Sequence, residues 1–257
     1  MKTEYLPNRR NYDIPCLCNI SGREKTVCVV VHGFGSTKLG LMAEILFREL
    51  PPLGIGIISF DLPAHGESRV DGEFLRLSNC LEDLALVEAR AHTLAPEAEI
   101  VFFASSFGAY ITLIYLAGLV GEGQNKRRAF LRATGVSVPR IFKQRLTPEV
   151  RARLETTGSF TLHKEEYGYT RDLKLTQGFL DDLERHDVFT IWQTGLAELH
   201  MVHGESDQVV PLGDAQAFAR MFHVPLTVIP NGDHQLSPSG APEQVLKLAA
   251  EFYAEGK

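Results

Sequence analysis

The chain has 257 residues, of which 44% are hydrophobic and 23% are charged, and its formal net charge at pH 7 is −6. This length suits a single α/β domain with a substantial core. The negative charge offers no basic face, so we expect no nucleic-acid partner. The first ten residues lack the apolar core of a signal peptide, and no apolar stretch is long enough to span a bilayer. We therefore expect a soluble, cytoplasmic protein without a membrane partner.

The four cysteines do not form a metal-binding pattern. Cys16 and Cys18 make one Cys-x-Cys pair, but Cys28 and Cys80 do not supply a second pair that would complete a zinc site. We expect four buried free thiols, no metal and no cofactor.

The first half of the chain predicts alternating strands and helices. Weak alternation over Tyr12–Ile20 indicates a strand close to an edge of the sheet, and the β-branched run 27–31 is typical of a central parallel strand. That run ends in His-Gly-Phe-Gly at 32–35, where many hydrolases place an oxyanion-hole amide, although a plain strand-to-helix loop is the alternative. The remaining elements predicted before residue 100 are a helix at 39–50, a strand at 55–60 and a helix that opens with a capping box at Asn79–Glu82.

The stretch 101–109 ends a buried strand on Ala104, Ser105, Ser106, Phe107 and Gly108. A nucleophile elbow needs small residues two before and two after its serine, because the turn is tight and strained. That spacing selects Ser106 over Ser105, and an ordinary strand–turn–helix is the alternative. The helix after it is apolar on all sides, which predicts burial, and its N-terminus would point at Ser106.

A strand is predicted over Ala129–Val138. Arg132 is unusual within it, so either Arg132 lies near an exposed end of the strand or the strand begins later. The regular alternation then stops until residue 196. The stretch 139–195 has many aromatic residues, with a strand predicted at 159–163 and a helix at 177–185. Its length and aromatic content favour an ordered lid over a disordered tract. We expect a core domain of residues 1–138 and 196–257 with an inserted cap of residues 139–195.

The α/β pattern resumes with strands at 198–204 and 224–229 and helices near 214–222 and 242–253. Asp207 and His234 each follow one of these strands, as Ser106 follows an earlier one. Strand ends of this kind meet at one edge of an open sheet, and Ser–Asp–His is the order found in α/β-hydrolases. A serine becomes nucleophilic when an imidazole, oriented by a carboxylate, takes its proton. Each residue also has an ordinary interpretation, as a turn, helix-capping or loop residue. His65, in the loop 61–68, is expected to stabilise a turn.

Five motifs together resemble the α/β-hydrolases, in particular bacterial serine-aminopeptidase-like hydrolases and cinnamoyl (feruloyl) esterases. They lie at residues 32–35, 61–68, 104–108, 203–211 and 232–234. The resemblance implies a mostly parallel sheet covered by helices on both faces. It also implies Ser106 as nucleophile, His234 as base and Asp207 as the acid that orients it, with the amides of Phe34 and Phe107 as oxyanion hole. The departures are Ala104, where glycine is usual, and a cap that matches only loosely.

The expected function is that of a metal-free serine hydrolase of the carboxylesterase type, with a small-molecule ester as its partner. Phe34, Phe107, Tyr167, Tyr169 and Trp192 are expected to form an aromatic wall for short or aryl acyl groups, unless the cap aromatics form only a core of their own. The alternatives are an aminopeptidase-like amide hydrolase with acidic cap residues as anchors, a thioesterase, and a non-catalytic binding protein of the same fold. The oligomeric state stays open.

Overall fold

A computed structural model describes residues 1–119, 127–163 and 172–254 of the protein. Within these ranges a large sheet contains eight strands and a small sheet contains two. The strands of the large sheet are β1 (Lys2–Pro7), β2 (Asp13–Asn19), β3 (Thr26–Val31), β4 (Ile55–Phe60), β5 (Glu99–Ser105), β6 (Arg127–Arg132), β9 (Ala197–Gly204) and β10 (Leu226–Ile229). The small sheet pairs β7 (Ser159–Leu162) with β8 (Leu173–Thr176) in antiparallel fashion.

The large sheet has the spatial order β1-β2-β4-β3-β5-β6-β9-β10. Neighbouring strands from β4 to β10 run parallel, whereas β1 and β2 form an antiparallel extension at one edge. In β3, Val29 lies between Ile58 of β4 and Phe102 of β5. Every residue of β3 and of β4 is buried, as expected for central strands that are covered on both faces.

Helices cover both faces of this sheet. The helices in the described ranges are α1 (Leu41–Glu49), α2 (Leu77–Leu94), α3 (Phe107–Gly118), α4 (Val138–Arg145), α5 (Pro148–Thr157), α6 (Gln177–Glu184), α7 (Val188–Ile191), α8 (Leu212–Phe222) and α9 (Ala241–Ala254). Side chains of α1 and α9 pack in one apolar cluster, and those of α2, α3 and α8 pack in another. None of the described helices is both long and apolar enough to cross a membrane.

The stretch 139–195 contributes most of α4, all of α5 to α7 and the small sheet. Its buried side chains, such as Leu154, Leu175 and Phe179, belong to the same cluster as those of α2 and α3, so the stretch has no separate core within the described residues. An ion pair also joins the stretch 139–195 to the residue that precedes α2. Arg76, just before α2, binds Asp182 of α6 through Nε at 2.6 Å and Nη2 at 2.9 Å.

Several observed elements differ from the sequence predictions, and α4, α5, α7 and β8 were not predicted. Strand β1 was not predicted, and β6 ends at Arg132 because Ala133 turns the chain with a φ of 47°. The capping box at Asn79 was wrong, because α2 begins at Leu77. A side chain from another helix caps its first turn, because Asp182 accepts a hydrogen bond from the Leu77 amide at 3.3 Å. A cap supplied by a residue distant in sequence leaves no local signal.

Candidate active site

Ser106 lies between β5 and α3 with φ 52° and ψ −114°, a strained conformation for a non-glycine residue. The turn is packed directly against the end of β3. A Cβ atom at Gly108 would lie 2.4 Å from the carbonyl oxygens of Val31 and His32, so only glycine fits there. The Ser106 amide donates to the carbonyl of Arg132 at 2.9 Å, which fastens the turn to the end of β6. The sequence therefore forms a sharp elbow that presents the Ser106 side chain.

The side chains of Ser106, His234 and Asp207 form a continuous hydrogen-bonded series. His234 Nε2 is 3.0 Å from Ser106 Oγ, and His234 Nδ1 is 2.8 Å from Asp207 Oδ2. A carboxylate only accepts, so Nδ1 carries the proton and Nε2 is free to accept one from the serine. The three residues follow β5, β9 and β10, whose carboxyl ends meet at one edge of the sheet. The structure thus brings together the three residues that the sequence selected.

Asp207 accepts three hydrogen bonds and also lies close to His203 Nε2, which is 3.0 Å from the Val210 carbonyl oxygen. Its Oδ1 accepts from the amides of Val209 and Val210, both at 2.8 Å, and its Oδ2 lies 3.2 Å from His203 Nε2 as well as near His234. Burial alone would raise the pKa of Asp207, but its contacts with His203 and His234 hold it well below its ordinary value. The carboxylate is therefore ionised at neutral pH and fixed in position, which suits it to orient an imidazole and stabilise its cation.

Phe34 and Phe107 lie on either side of the elbow. Phe107 is the first residue of α3, and Phe34 is in the loop after β3, whose Gly33 approaches Ser106 closely. Two amides at these positions, one beside a helix N-terminus, suit the stabilisation of a developing negative charge near Ser106 Oγ. Their role as an oxyanion hole stays a prediction.

The Phe34 ring links the sheet to the stretch 139–195. It packs edge-to-face against Phe107 at 5.7 Å and Phe142 at 5.0 Å between ring centroids, and it stacks on Phe179 at 6.2 Å. Phe142 and Phe179 come from α4 and α6. Among the described residues of this stretch, these two aromatic side chains pack on Phe34, and the sequence analysis did not single them out as site residues.

A buried ion pair stiffens the loops under the site. Lys38 Nζ binds Asp61 Oδ2 at 2.8 Å, and Asp61 also accepts from the amides of Lys38 and Glu67. Burial lowers the pKa of His32. Its Nε2 accepts a hydrogen bond from the Leu62 amide at 3.1 Å, which requires the ring to be neutral. His65 Nδ1 is 2.9 Å from the Pro63 carbonyl, in agreement with its expected place in a turn. The motif 61–68 is thus a structural support for the edge of the sheet that carries Ser106.

A cavity of about 200 Å³ opens beside Ser106 and His234. Its walls come from the end of β3 and the loop after it, from α1, from the start of α9, from the ends of β5 and β6 and from the loop after β10, and they include Leu41, Met42, Ser105, Arg132, Leu236 and Val245. Phe34 also lines it, whereas Trp192 does not and packs against Phe218 at 6.3 Å. This cavity therefore gives no support to the expectation that Trp192 belongs to the acyl wall, and that expectation stays a prediction. Tyr167 and Tyr169 lie outside the described residues.

Arg132 and the α1 and α9 side chains were missed as cavity residues. Arg132 carried a usable signal, since a charged residue at the end of a buried strand is unusual. Leu41 and Val245 carried none, because apolar helix residues are ordinarily core. The four cysteines are buried and unpaired. In the part of the chain that the structure describes, no three His, Cys, Asp or Glu side chains are grouped so that they could hold a metal ion.

Solved structures of several proteins resemble the chain over nearly its whole length. A presumed hydrolase from Agrobacterium vitis S4 has a TM-score of 0.79 at 22% identity, covering 98% of each chain. Est1E from Butyrivibrio proteoclasticus, with ferulic acid bound, has a TM-score of 0.78 at 18% identity, covering 98% of this chain and 99% of its own. Mouse alpha/beta hydrolase domain-containing protein 10 has a TM-score of 0.77 at 17% identity, with complete coverage of both.

These likenesses, all below 25% identity, establish the fold alone: a mostly parallel sheet with helices on both faces, as the sequence predicted. No curated protein sequence matches the chain significantly. A family model does match it, over residues 28–248, and that range includes Ser106, Asp207 and His234. The chain belongs to the alpha/beta hydrolase family.

Proposed function

We propose that the protein is a serine hydrolase of the carboxylesterase type, which cleaves small acyl or aryl esters through an acyl-enzyme on Ser106. The observation that carries this proposal is the hydrogen-bonded series from Ser106 Oγ through His234 to Asp207, at 3.0 and 2.8 Å. A serine, a histidine and a carboxylate in this geometry are the parts that acyl transfer requires.

In the first half-reaction His234 Nε2 takes the Ser106 proton while Oγ attacks the ester carbonyl. The amides of Phe34 and Phe107 stabilise the oxyanion that forms, and Asp207 stabilises the imidazolium. His234 then gives its proton to the departing alcohol, which leaves the acyl group on Ser106. In the second half-reaction His234 activates a water molecule, which attacks the acyl-enzyme and releases the acid and the free serine.

The size of the cavity favours short acyl groups. About 200 Å³ is less than most ligand pockets offer, and Phe34 supplies an apolar ring next to the nucleophile. We propose that the stretch 139–195 acts as a cap, because Phe142 and Phe179 pack on the same Phe34 ring. Tyr167 and Tyr169 stay expected contributors to the acyl wall. Est1E, whose solved structure contains ferulic acid, is a relative of the same fold and favours aryl esters as a class to test.

The test combines a covalent probe with a substrate panel. A fluorophosphonate probe labels only an activated serine, so peptide mapping should find the adduct on Ser106. A non-catalytic homologue would not react, and an adduct on Ser105 would contradict the proposed elbow.

The panel compares acetate, butyrate, palmitate and ferulate esters with a butyryl thioester and an aminoacyl amide. We expect the short and aryl esters to give the highest kcat/KM. Highest turnover of the thioester or the amide would assign the protein to the alternative thioesterase or aminopeptidase-like class, and highest turnover of palmitate would contradict the small acyl pocket.

A further inference from the structure

Arg132 is a charged residue in the wall of the candidate site. It is the last residue of β6, and it lines the same cavity as Ser106 and His234. It is in register with Ser105 on the adjacent parallel strand, so the two side chains lie on the same face of the sheet. Both residues line the cavity. The guanidinium group is therefore next to the place where an ester bound at Ser106 would extend.

The guanidinium of Arg132 has few protein partners. Its Nη2 donates to the carbonyl oxygen of Gln235, and its Nε is buried without a hydrogen-bond partner. Among the described residues, no carboxylate lies within ion-pair distance of it. The two carboxylates that attract it from farther away are engaged elsewhere, Asp207 with His234 and Asp233 with Ser237.

A cation in this position is costly for the protein alone. Burial lowers the pKa of Arg132 to about 10, although the charges of Asp233 and Asp207 act in the opposite direction. The guanidinium is therefore still protonated at neutral pH. Arg132 is half-buried, with its Nε shielded from solvent, and a partly desolvated charge is unfavourable until an anion pairs with it. A guanidinium offers planar, forked N–H donors that match the two oxygens of a carboxylate.

We propose that Arg132 binds a carboxylate of the substrate, so that the preferred esters carry a negative charge beside the scissile bond. The apolar side chains of Leu41, Met42 and Val245 would contact the hydrocarbon that joins the two groups. This inference rests on the proposed esterase function and narrows its substrate class. The carboxylate can be on the acyl group or on the alcohol, because both would extend from the carbonyl carbon at Ser106.

A competing role is available to Arg132. Its hydrogen bond to the Gln235 carbonyl holds the residue next to His234, so it could act only as a positioning residue. Loss of a positioning residue lowers kcat equally for charged and neutral substrates. Loss of a carboxylate-binding residue lowers kcat/KM for the charged substrate alone.

The experiment measures kcat/KM on two pairs of esters that differ only in charge. Monomethyl glutarate and methyl glutaramate test the acyl side, and butyryl glycolate and butyryl glycolamide test the alcohol side. We expect the wild-type protein to have a kcat/KM about tenfold or more higher for the charged member of at least one pair. A charge-assisted hydrogen bond supplies a difference of that size. Arg132→Gln should abolish the preference, and Arg132→Lys should keep part of it. Arg220→Gln removes one exposed positive charge from α8 and should leave the preference unchanged.

Equal rates on both members of each pair in the wild-type protein would overturn the inference. An unchanged preference in Arg132→Gln, or equal losses on charged and neutral esters, would overturn it too. If the substituted proteins fail to fold, the wild-type ratios alone decide the outcome. Hydrolysis of neutral esters with fluorophosphonate labelling at Ser106 would keep the proposed function intact while this inference fails, so the two failures are distinguishable.

Discussion

Arg128 and Arg132 lie at opposite ends of the same strand, β6, and their surroundings differ. Arg128 donates to the carbonyls of Phe252 and Tyr253, lies 4.7 Å above the Phe252 ring and is within 3.8 Å of Glu99. Its Nε makes no hydrogen bond, like that of Arg132, but it lies 3.5 Å from Glu198 Oε2. Arg132 has one carbonyl partner and lines a cavity.

At the amino-terminal edge of the sheet the charge of Arg128 is therefore paired with carboxylates, whereas at the carboxyl-terminal edge the charge of Arg132 has no carboxylate partner among the described residues. In open α/β sheets, ligands bind at the carboxyl ends of the strands. Substitutions at the carboxyl-terminal edge should change catalysis, and substitutions at the opposite edge should change stability.

The largest effect is expected from Ser106→Ala at the carboxyl-terminal edge. Without the hydroxyl no acyl-enzyme forms, so kcat should fall by about a millionfold. The free energy of unfolding, measured with urea, should stay close to that of the wild-type protein. Ser105→Ala is the matched control and should keep most of its activity. Full activity in Ser106→Ala would contradict the assignment of the nucleophile.

Asp207→Asn should lower kcat by about ten-thousandfold, because an amide beside His234 favours the wrong imidazole tautomer. Steady-state kinetics on a short-chain ester measure this. Asp233→Asn is the control, since Asp233 bonds Ser237 and not the ring of its neighbour His234. A severe loss in Asp233→Asn with a mild loss in Asp207→Asn would reverse the assignment of the acid.

Arg128→Met should act on stability alone. It leaves the carbonyls of Phe252 and Tyr253 without their donor, at a cost of about 2–3 kcal/mol in the free energy of unfolding. The kcat on a short-chain ester should be unchanged. Urea unfolding and kinetics on the same preparation check both. A variant that unfolds like the wild-type protein but loses activity would break the separation between the two edges.

The smallest effect concerns Asp83 of α2, which accepts from Asn8 at 2.6 Å and Tyr12 at 2.8 Å. Burial raises its pKa to about 7, in spite of these two hydrogen bonds. The folded protein therefore keeps a proton that the unfolded chain releases near pH 4, and stability falls as pH rises from about 4 to about 7.

Asp83→Asn removes that titration. The free energy of unfolding of the wild-type protein, relative to this variant, should fall by on the order of 1–3 kcal/mol between pH 5 and pH 8. Urea unfolding at the two pH values measures it, with kcat unaffected. A difference that does not change with pH would show that Asp83 keeps its ordinary pKa in the folded protein.

The sequence predicted the elements whose signals are local. The strand at 55–60 matches β4, and the spacing of Ala104, Ser106 and Gly108 located the elbow, because that turn can be made only with small residues. Asp207 and His234 were found because strand ends in a parallel sheet meet at one edge. A pattern that depends on few residues and on covalent geometry can be predicted without knowledge of tertiary contacts.

The parts that were missed depend on contacts between residues distant in sequence. The start of α2 is fixed by Asp182, a residue 105 positions away, and the aromatic neighbours of Phe34 are set by how α4 and α6 pack. Trp192 was assigned to the site because it is aromatic, but in the structure it packs against Phe218. Composition alone does not distinguish an aromatic residue at a site from one in a core.

Ser106 is proposed to carry the acyl group during turnover. Intact-protein mass spectrometry, after rapid acid quenching of the reaction with 4-nitrophenyl acetate, tests it directly. We predict one acetyl group per protein within the burst of nitrophenol, mapped to Ser106 by peptide analysis and absent from Ser106→Ala. Acetylation of another residue at the burst rate, or steady hydrolysis with no acetyl-protein at any time, would contradict the account.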